Sequence, residues 1–201
     1  MQLVLVLASS SPYRRSLLTR LGLPFTSASP DIDETSLPGE TVQALVERLA
    51  LGKARALSGQ FPEALIIGSD QACLCETTIL GKPGDIARAR LQLQACSGKQ
   101  VDFYTSLVLF NSATGLWQQS LDIFSVTFRK LDEFEINHYL LKEQPFDCAG
   151  SFKAEGLGIS LFEKMAGNDF HSLIGLPLIS LCQLLRQAGI NPLQPEAPTP
   201  G

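Results

Sequence analysis

Histidine is nearly missing: His138 and His171 are the only two in 201 residues, too few to build a histidine-rich zinc site. An excess of positive charge is missing as well. The 16 Lys and Arg are outnumbered by 20 Asp and Glu, giving a formal net charge of −4. That balance has no general attraction for a polyanion and excludes long nucleic acid as a main partner, so any positive site must be local. No apolar run approaches the ~20 residues needed to cross a bilayer. The short run Leu3 to Leu7 lacks the basic lead of a secretory signal and reads as a buried strand. A cytoplasmic location away from membranes is the expectation. The cysteines (Cys73, Cys75, Cys96, Cys148, Cys182) are odd in number and scattered, and Cys73-Leu74-Cys75 has one spacer where zinc knuckles and redox motifs usually need two. They read as reduced structural thiols of a reducing compartment. Neither a Walker loop nor a Gly-x-Gly-x-x-Gly fingerprint is present, so bound phosphates need another device.

With 45% apolar and 18% charged residues, the chain can bury a sizeable core as one globular unit, possibly of two lobes. Leu3 to Leu7 is followed by Ser11, Pro12, a helix over Arg14 to Leu21, and Gly22: strand, cap, proline at the first turn, helix, glycine stop. A short strand near Phe25 leads into the acidic loop Asp31 to Thr35, and a helix from about Thr41 to Leu57 carries Val42, Leu45, Val46, Leu49 and Ala50 on one stripe. Leu65 to Gly68 reads as a second buried strand ending at Ser69-Asp70-Gln71. Gly81-Lys82-Pro83 is a loop before a helix from about Asp85 that Gly98 terminates. Val101 to Phe110 and Leu116 to Phe128 form a hairpin, Asp132 and Glu135 a capping box, Cys148 to Lys164 a strand or loop, and Leu176 to Gln187 the closing helix. The sum is an α/β fold with a mixed sheet and flanking helices. One domain covers residues 1–193, and the proline-rich tail 194–201 is expected to be disordered.

The residues able to do chemistry gather at strand ends: Ser9, Ser11 and Arg14 after the first strand, and Ser69, Asp70 and Gln71 after the second, with Lys53 and Lys82 nearby in sequence. A strand-to-helix turn aims backbone N–H groups and a positive helix end at an anion. In open α/β sheets ligands collect at the carboxyl ends of strands, so two such ends can form one cleft. Each residue also has a plainer role: Ser11 as a helix cap, Lys53 as a solvated helix face, Asp70 as a turn cap, His138 as a surface residue.

Leu7 to Arg15, the Asp33-Glu34-Thr35 loop, Gly68 to Gln71, Gly81 to Pro83 and Ala149 to Gly156 together resemble the signature blocks of the Maf family of nucleotide pyrophosphatases, in order from Leu3 to about Leu193. The resemblance implies a two-lobed α/β unit around a mixed, elongated sheet, with a cleft for a nucleoside triphosphate. It also implies a divalent cation (magnesium, manganese or cobalt) and suggests a homodimer. By the match, Asp70 is the general base. Arg14, Lys53 and Lys82 neutralise the triphosphate, and Ser9, Ser11, Ser69 and Lys153 bind phosphate or substrate. Glu34 and Asp70 hold the metal, because magnesium prefers oxygen ligands and shares itself with phosphates.

Three positions depart from the branch of that family acting on dTTP and UTP: Tyr13, Gln71 and Glu155 stand where that branch usually has Arg, Thr and Gln. Gln71 and Glu155 fit the branch acting on 7-methyl-GTP, and Tyr13 is a conservative departure from its usual aromatic. Methylation at N7 leaves a positive charge on guanine that an aromatic face attracts. Glu155 can accept from two N–H donors of the guanine edge. The alternatives are the same reaction on dTTP, UTP or CTP, and a nucleotide-binding regulator of cell division without hydrolysis.

Overall fold

The computed structural model describes residues 4–194. The expectation of a disordered tail concerns residues that lie, beyond Gln194, outside the described residues. Among those described, seven strands form one mixed sheet flanked by helices: β1 (Val4–Ala8), β2 (Thr26–Ala28), β3 (Ala64–Cys75), β4 (Thr78–Leu80), β5 (Gln100–Asn111), β6 (Trp117–Phe128) and β7 (Phe162–Ala166). The order is β2-β1-β3-β5-β6-β7, with β4 also on β3. β1 runs parallel to β2 and β3, and the other pairings are antiparallel. The helices are α1 (Pro12–Thr19), α2 (Val42–Ala56), α3 (Ile86–Cys96), α4 (Glu133–Glu143), α5 (Phe170–Ile174) and α6 (Leu178–Gln187).

The local signals act as their chemistry requires. Ser11 caps α1 through its side chain with Pro12 in the first turn, Thr41 and Asp85 cap α2 and α3, and Asp132 and Glu135 form the reciprocal capping box of α4. One expectation needs correcting. The second strand does not end at Gly68; it runs on to Cys75, so Ser69, Asp70 and Gln71 sit in mid-strand. Polar side chains suggest a strand end, but eleven consecutive pairings with β5, from Leu65 to Cys75, hold the backbone extended whatever the side chains are. Beyond the expected elements stands the short helix α5. Asp169 creates it by accepting from His171 N and, with its other oxygen, from Ile179 N.

Length in β3 and β5 gives the molecule two cores on one sheet. Toward one end Phe103, Phe128 and Phe152 pack edge to face, with Leu93 and Leu140 in the same cluster. Toward the other, Leu7, Leu17, Ile67, Leu107, Leu181 and Leu185 bury α1 and α6 on one face, while Ile66, Val108, Ala50 and Ala54 bury α2. Each such Leu, Ile, Val or Phe side chain contributes ~1.5–3 kcal/mol. The polar residues of β3 fall between Ile67 of one core and Cys73 of the other, the natural place for a cleft.

One close approach sets the site. A Cβ at Gly68 would overlap the carbonyl oxygen of Ala50 and press on Ala54. Glycine therefore lets α2 lie directly on β3. Lys53, on the buried stripe of α2, is thereby delivered to Asp70, two residues beyond Gly68 and on the same face of the strand.

Candidate active site

Lys53 is the hub of the site. Its Nζ donates to Asp70 Oδ1 at 2.6 Å and lies 2.9 Å from Glu34 Oε1. Lys53 and Asp70 are each only 6% exposed, while the Glu34 side chain is 56% exposed at the cleft rim. Two carboxylates thus converge on one buried ammonium. Burial pushes the Glu34 carboxyl up, but the Lys53 hydrogen bond and charge, joined by Lys82 and Arg14, outweigh it and hold it below its usual value. Among the described residues the sealed side-chain atoms without partners are Ser27 Oγ and Asp122 Oδ1. Asp70 Oδ2, which has no protein donor, therefore keeps contact with solvent.

Arg14 comes from α1. Its Nε donates to the carbonyl of Gly175 at 2.8 Å, and Ser69 Oγ donates to the same carbonyl at 2.9 Å. Burial lowers the Arg14 guanidinium from its ordinary value, opposed by the charges of Asp70 and Glu34. Gly175 caps α5 at φ 116, a conformation few side-chain-bearing residues adopt. Sequence reasoning missed Gly175, and the available signal was a glycine standing two residues before Pro177. Ser9 Oγ accepts from Ser11 N at 3.1 Å, and Ser11 Oγ accepts from Arg14 N at 3.4 Å. Each hydroxyl proton remains available to a ligand.

These groups open on a cavity of about 320 Å³. Ser9, Ser11, Arg14, Glu34, Lys53 and Lys82 line it together with Tyr13, Gln71 and Glu155, so all but three of the expected site residues meet there. Asp70 lies just behind Lys53 rather than on the wall. Ser69 is fully buried and tied to the carbonyls of Ser106 and Gly175. Lys153 donates from Nζ to the Glu143 carbonyl at 2.6 Å, away from the lining. Gln71 spends its amide nitrogen on Thr105 Oγ1 and on the carbonyls of Ser172 and Leu173, which leaves its oxygen as the group to offer a ligand. Sequence reasoning also missed Asp147 and Cys148. The Tyr13 hydroxyl donates to Asp147 Oδ1 at 3.4 Å, and the Cys148 thiol donates to the same oxygen at 3.5 Å. Burial first, then Asp147, pushes the Cys148 thiol up to about 12, so it stays protonated at neutral pH.

The described residues contain no cluster of three or more His, Cys, Asp or Glu that could cage a metal. The oxygen pair Glu34 and Asp70 suits instead a hard cation that takes its remaining ligands from phosphate and water. Among the described residues no helix is long and apolar enough to cross a membrane.

Residues 4–188 match the family model described as Maf-like protein. A relative from Chromohalobacter salexigens, named 7-methyl-GTP pyrophosphatase, is 57% identical over 189 residues, covering 94% of this chain and 98% of that protein. On a match that spans both cores and every wall of the cavity, the chain belongs to the Maf family.

Proposed function

We propose that this protein is a nucleoside triphosphate pyrophosphatase that hydrolyses 7-methyl-GTP to 7-methyl-GMP and pyrophosphate. What carries the reading is one cavity with Arg14, Lys53 and Lys82 on its walls and, on the same walls, the aromatic and carboxylate groups Tyr13 and Glu155. The name of the 57% identical relative supports the substrate.

Water attacks the α phosphorus, the bond to the oxygen bridging toward the β phosphorus breaks, and pyrophosphate leaves. Asp70 takes the water proton on Oδ2, the oxygen that Lys53 leaves free. Lys53 fixes the carboxylate by holding Oδ1, and with Arg14 and Lys82 it offsets charge building on the phosphates. The Ser9 and Ser11 hydroxyls donate to phosphate oxygens. Glu34 and Asp70 would hold a divalent cation, magnesium, manganese or cobalt, which when bound neutralises triphosphate charge. Tyr13 takes the methylated ring against its face, Glu155 accepts from the guanine N–H edge, and the Gln71 oxygen faces the base. Ser69 and Lys153 support the walls from behind. The five free thiols suit a reducing cytoplasm.

Pyrophosphate release from 7-methyl-GTP, GTP, dTTP, UTP and CTP, with and without added divalent metal, tests this directly. Metal-dependent release fastest with 7-methyl-GTP is the expected result. Orthophosphate as product, or nucleotide binding with no hydrolysis of any substrate, would overturn it.

A further inference from the structure

Hydrogen bonding by Glu155 does not by itself separate the methylated base from guanine. The N–H edge it would accept from is the same in GTP and 7-methyl-GTP, which differ by a methyl group and one positive charge. Hydrogen bonding by Glu155 separates guanine from pyrimidines, and the added charge is sensed by the Tyr13 face and the anions around it. Three carboxylates line the cavity: Glu34, Asp147 and Glu155. Glu34 is committed to Lys53, with Lys82 and Arg14 acting on it as well. Among the described residues neither Asp147 nor Glu155 has a cationic partner within salt-bridge distance. The charges that act on Tyr13 are those of the Asp147 and Glu155 carboxylates, with no cation among them. The cavity is therefore electrically sorted. Its cations surround Glu34, and its unpaired anions surround Tyr13.

We infer that Asp147 is a specificity-determining residue of this site, selecting a positively charged purine over its neutral counterpart. The inference rests on the proposed base recognition at Tyr13 and Glu155. Asp147 Oδ1 takes the Tyr13 hydroxyl and the Cys148 thiol, both neutral donors at distances of 3.4 and 3.5 Å that cancel none of its charge. Oδ2 has no donor among the described residues. An unpaired carboxylate at the hydroxyl end of an aromatic that receives a ring cation adds attraction for the charged base and none for the neutral one. Asp147 is exposed, so part of that attraction is screened and the effect is moderate. Cys148 belongs to the same arrangement. A thiol held protonated next to Asp147 leaves the carboxylate free, where a lysine or arginine would neutralise it.

The experiment is kcat/KM for 7-methyl-GTP and GTP on wild type, Asp147→Asn, Asp147→Glu and Tyr13→Phe, at low and high salt. Asp147→Asn should lower the 7-methyl-GTP to GTP ratio by roughly five- to twentyfold, and Asp147→Glu should restore most of it. Salt should compress the ratio in wild type more than in Asp147→Asn. An equal fall with both substrates would make Asp147 a structural residue and overturn the inference. Tyr13→Phe keeps the ring and removes the hydroxyl. Reproducing the Asp147→Asn ratio with it would mean that Asp147 acts by holding the phenol, which also overturns a charge role. A wild type that hydrolyses both without preference sinks the base assignment itself. A wild type that prefers 7-methyl-GTP, with Asp147→Asn keeping that preference, sinks only the role of Asp147.

Discussion

Asp70→Asn isolates chemistry from architecture better than any other change in this site. Asparagine matches aspartate in volume, so no cavity forms, and its amide oxygen can still accept from Lys53 Nζ, now at 2.6 Å from Oδ1. A hydrogen bond between charged partners is worth ~1.5–3 kcal/mol and a neutral acceptor about 1, while Lys53 keeps Glu34 as a counterion at 2.9 Å. The net cost to stability is about 1–2 kcal/mol, a drop in Tm of about 2–8 °C for a chain of this size. Loss of the base should be far larger in rate, ~10² to 10⁴ in kcat, or about 3–5 kcal/mol of barrier. The two effects are separable. Pyrophosphate release at saturating 7-methyl-GTP gives kcat, calorimetric titration of the mutant gives Kd, and a thermal melt gives Tm. A folded mutant that loses less than about tenfold in kcat would refute the base assignment. So would a loss of affinity that accounts for the whole fall in kcat/KM.

Glu155→Gln should lower the preference for 7-methyl-GTP over UTP by about 1–3 kcal/mol, since a donor replaces one acceptor facing the base and the phosphate end is untouched; equal losses in kcat/KM for both nucleotides would remove Glu155 from base selection. Gly68→Ala forces a Cβ into the Ala50 carbonyl and must push α2, and Lys53 with it, off β3. It should cost about 1–3 kcal/mol in urea unfolding and lower kcat as well, and an unchanged kcat would show that the Lys53–Asp70 contact does not depend on that approach. Glu40 is held down to about 2, first by its hydrogen bonds to Arg48 and then by the Leu37 N–H, against an ordinary value of 4.5. Its folded pKa is depressed, so its stabilising contribution is fully present above 4.5 and is lost as pH falls toward about 2. Glu40→Gln should therefore be less stable than wild type at neutral pH, with the gap in urea midpoint closing across that window; a gap independent of pH would contradict the linkage.

Much of this protein was decided by local chemistry and is legible in the chain. Ser11-Pro12, Thr41, Asp85 and the Asp132–Glu135 pair start helices because each side chain satisfies backbone N–H groups within three residues of itself. The apolar runs name the buried strands, and the signature blocks that hold Arg14, Asp70, Lys82 and Glu155 carry the resemblance to nucleotide pyrophosphatases. What the chain could not reveal are contacts whose partners stand far apart in it. Arg14 and Gly175 are 161 residues apart, Tyr13 and Asp147 134, and Gln71 and the Ser172 carbonyl 101. No periodicity or cap encodes such distances. The mid-strand position of Asp70 had the same origin, since the long pairing of β3 with β5 keeps polar residues extended and carries two cores on one sheet. Only the tertiary structure withdrew Ser69 and Lys153 from the cavity wall and gave Asp147 a place on it. A side chain's exposure to a ligand depends on what packs around it, and packing is the sum of contacts that no single segment contains.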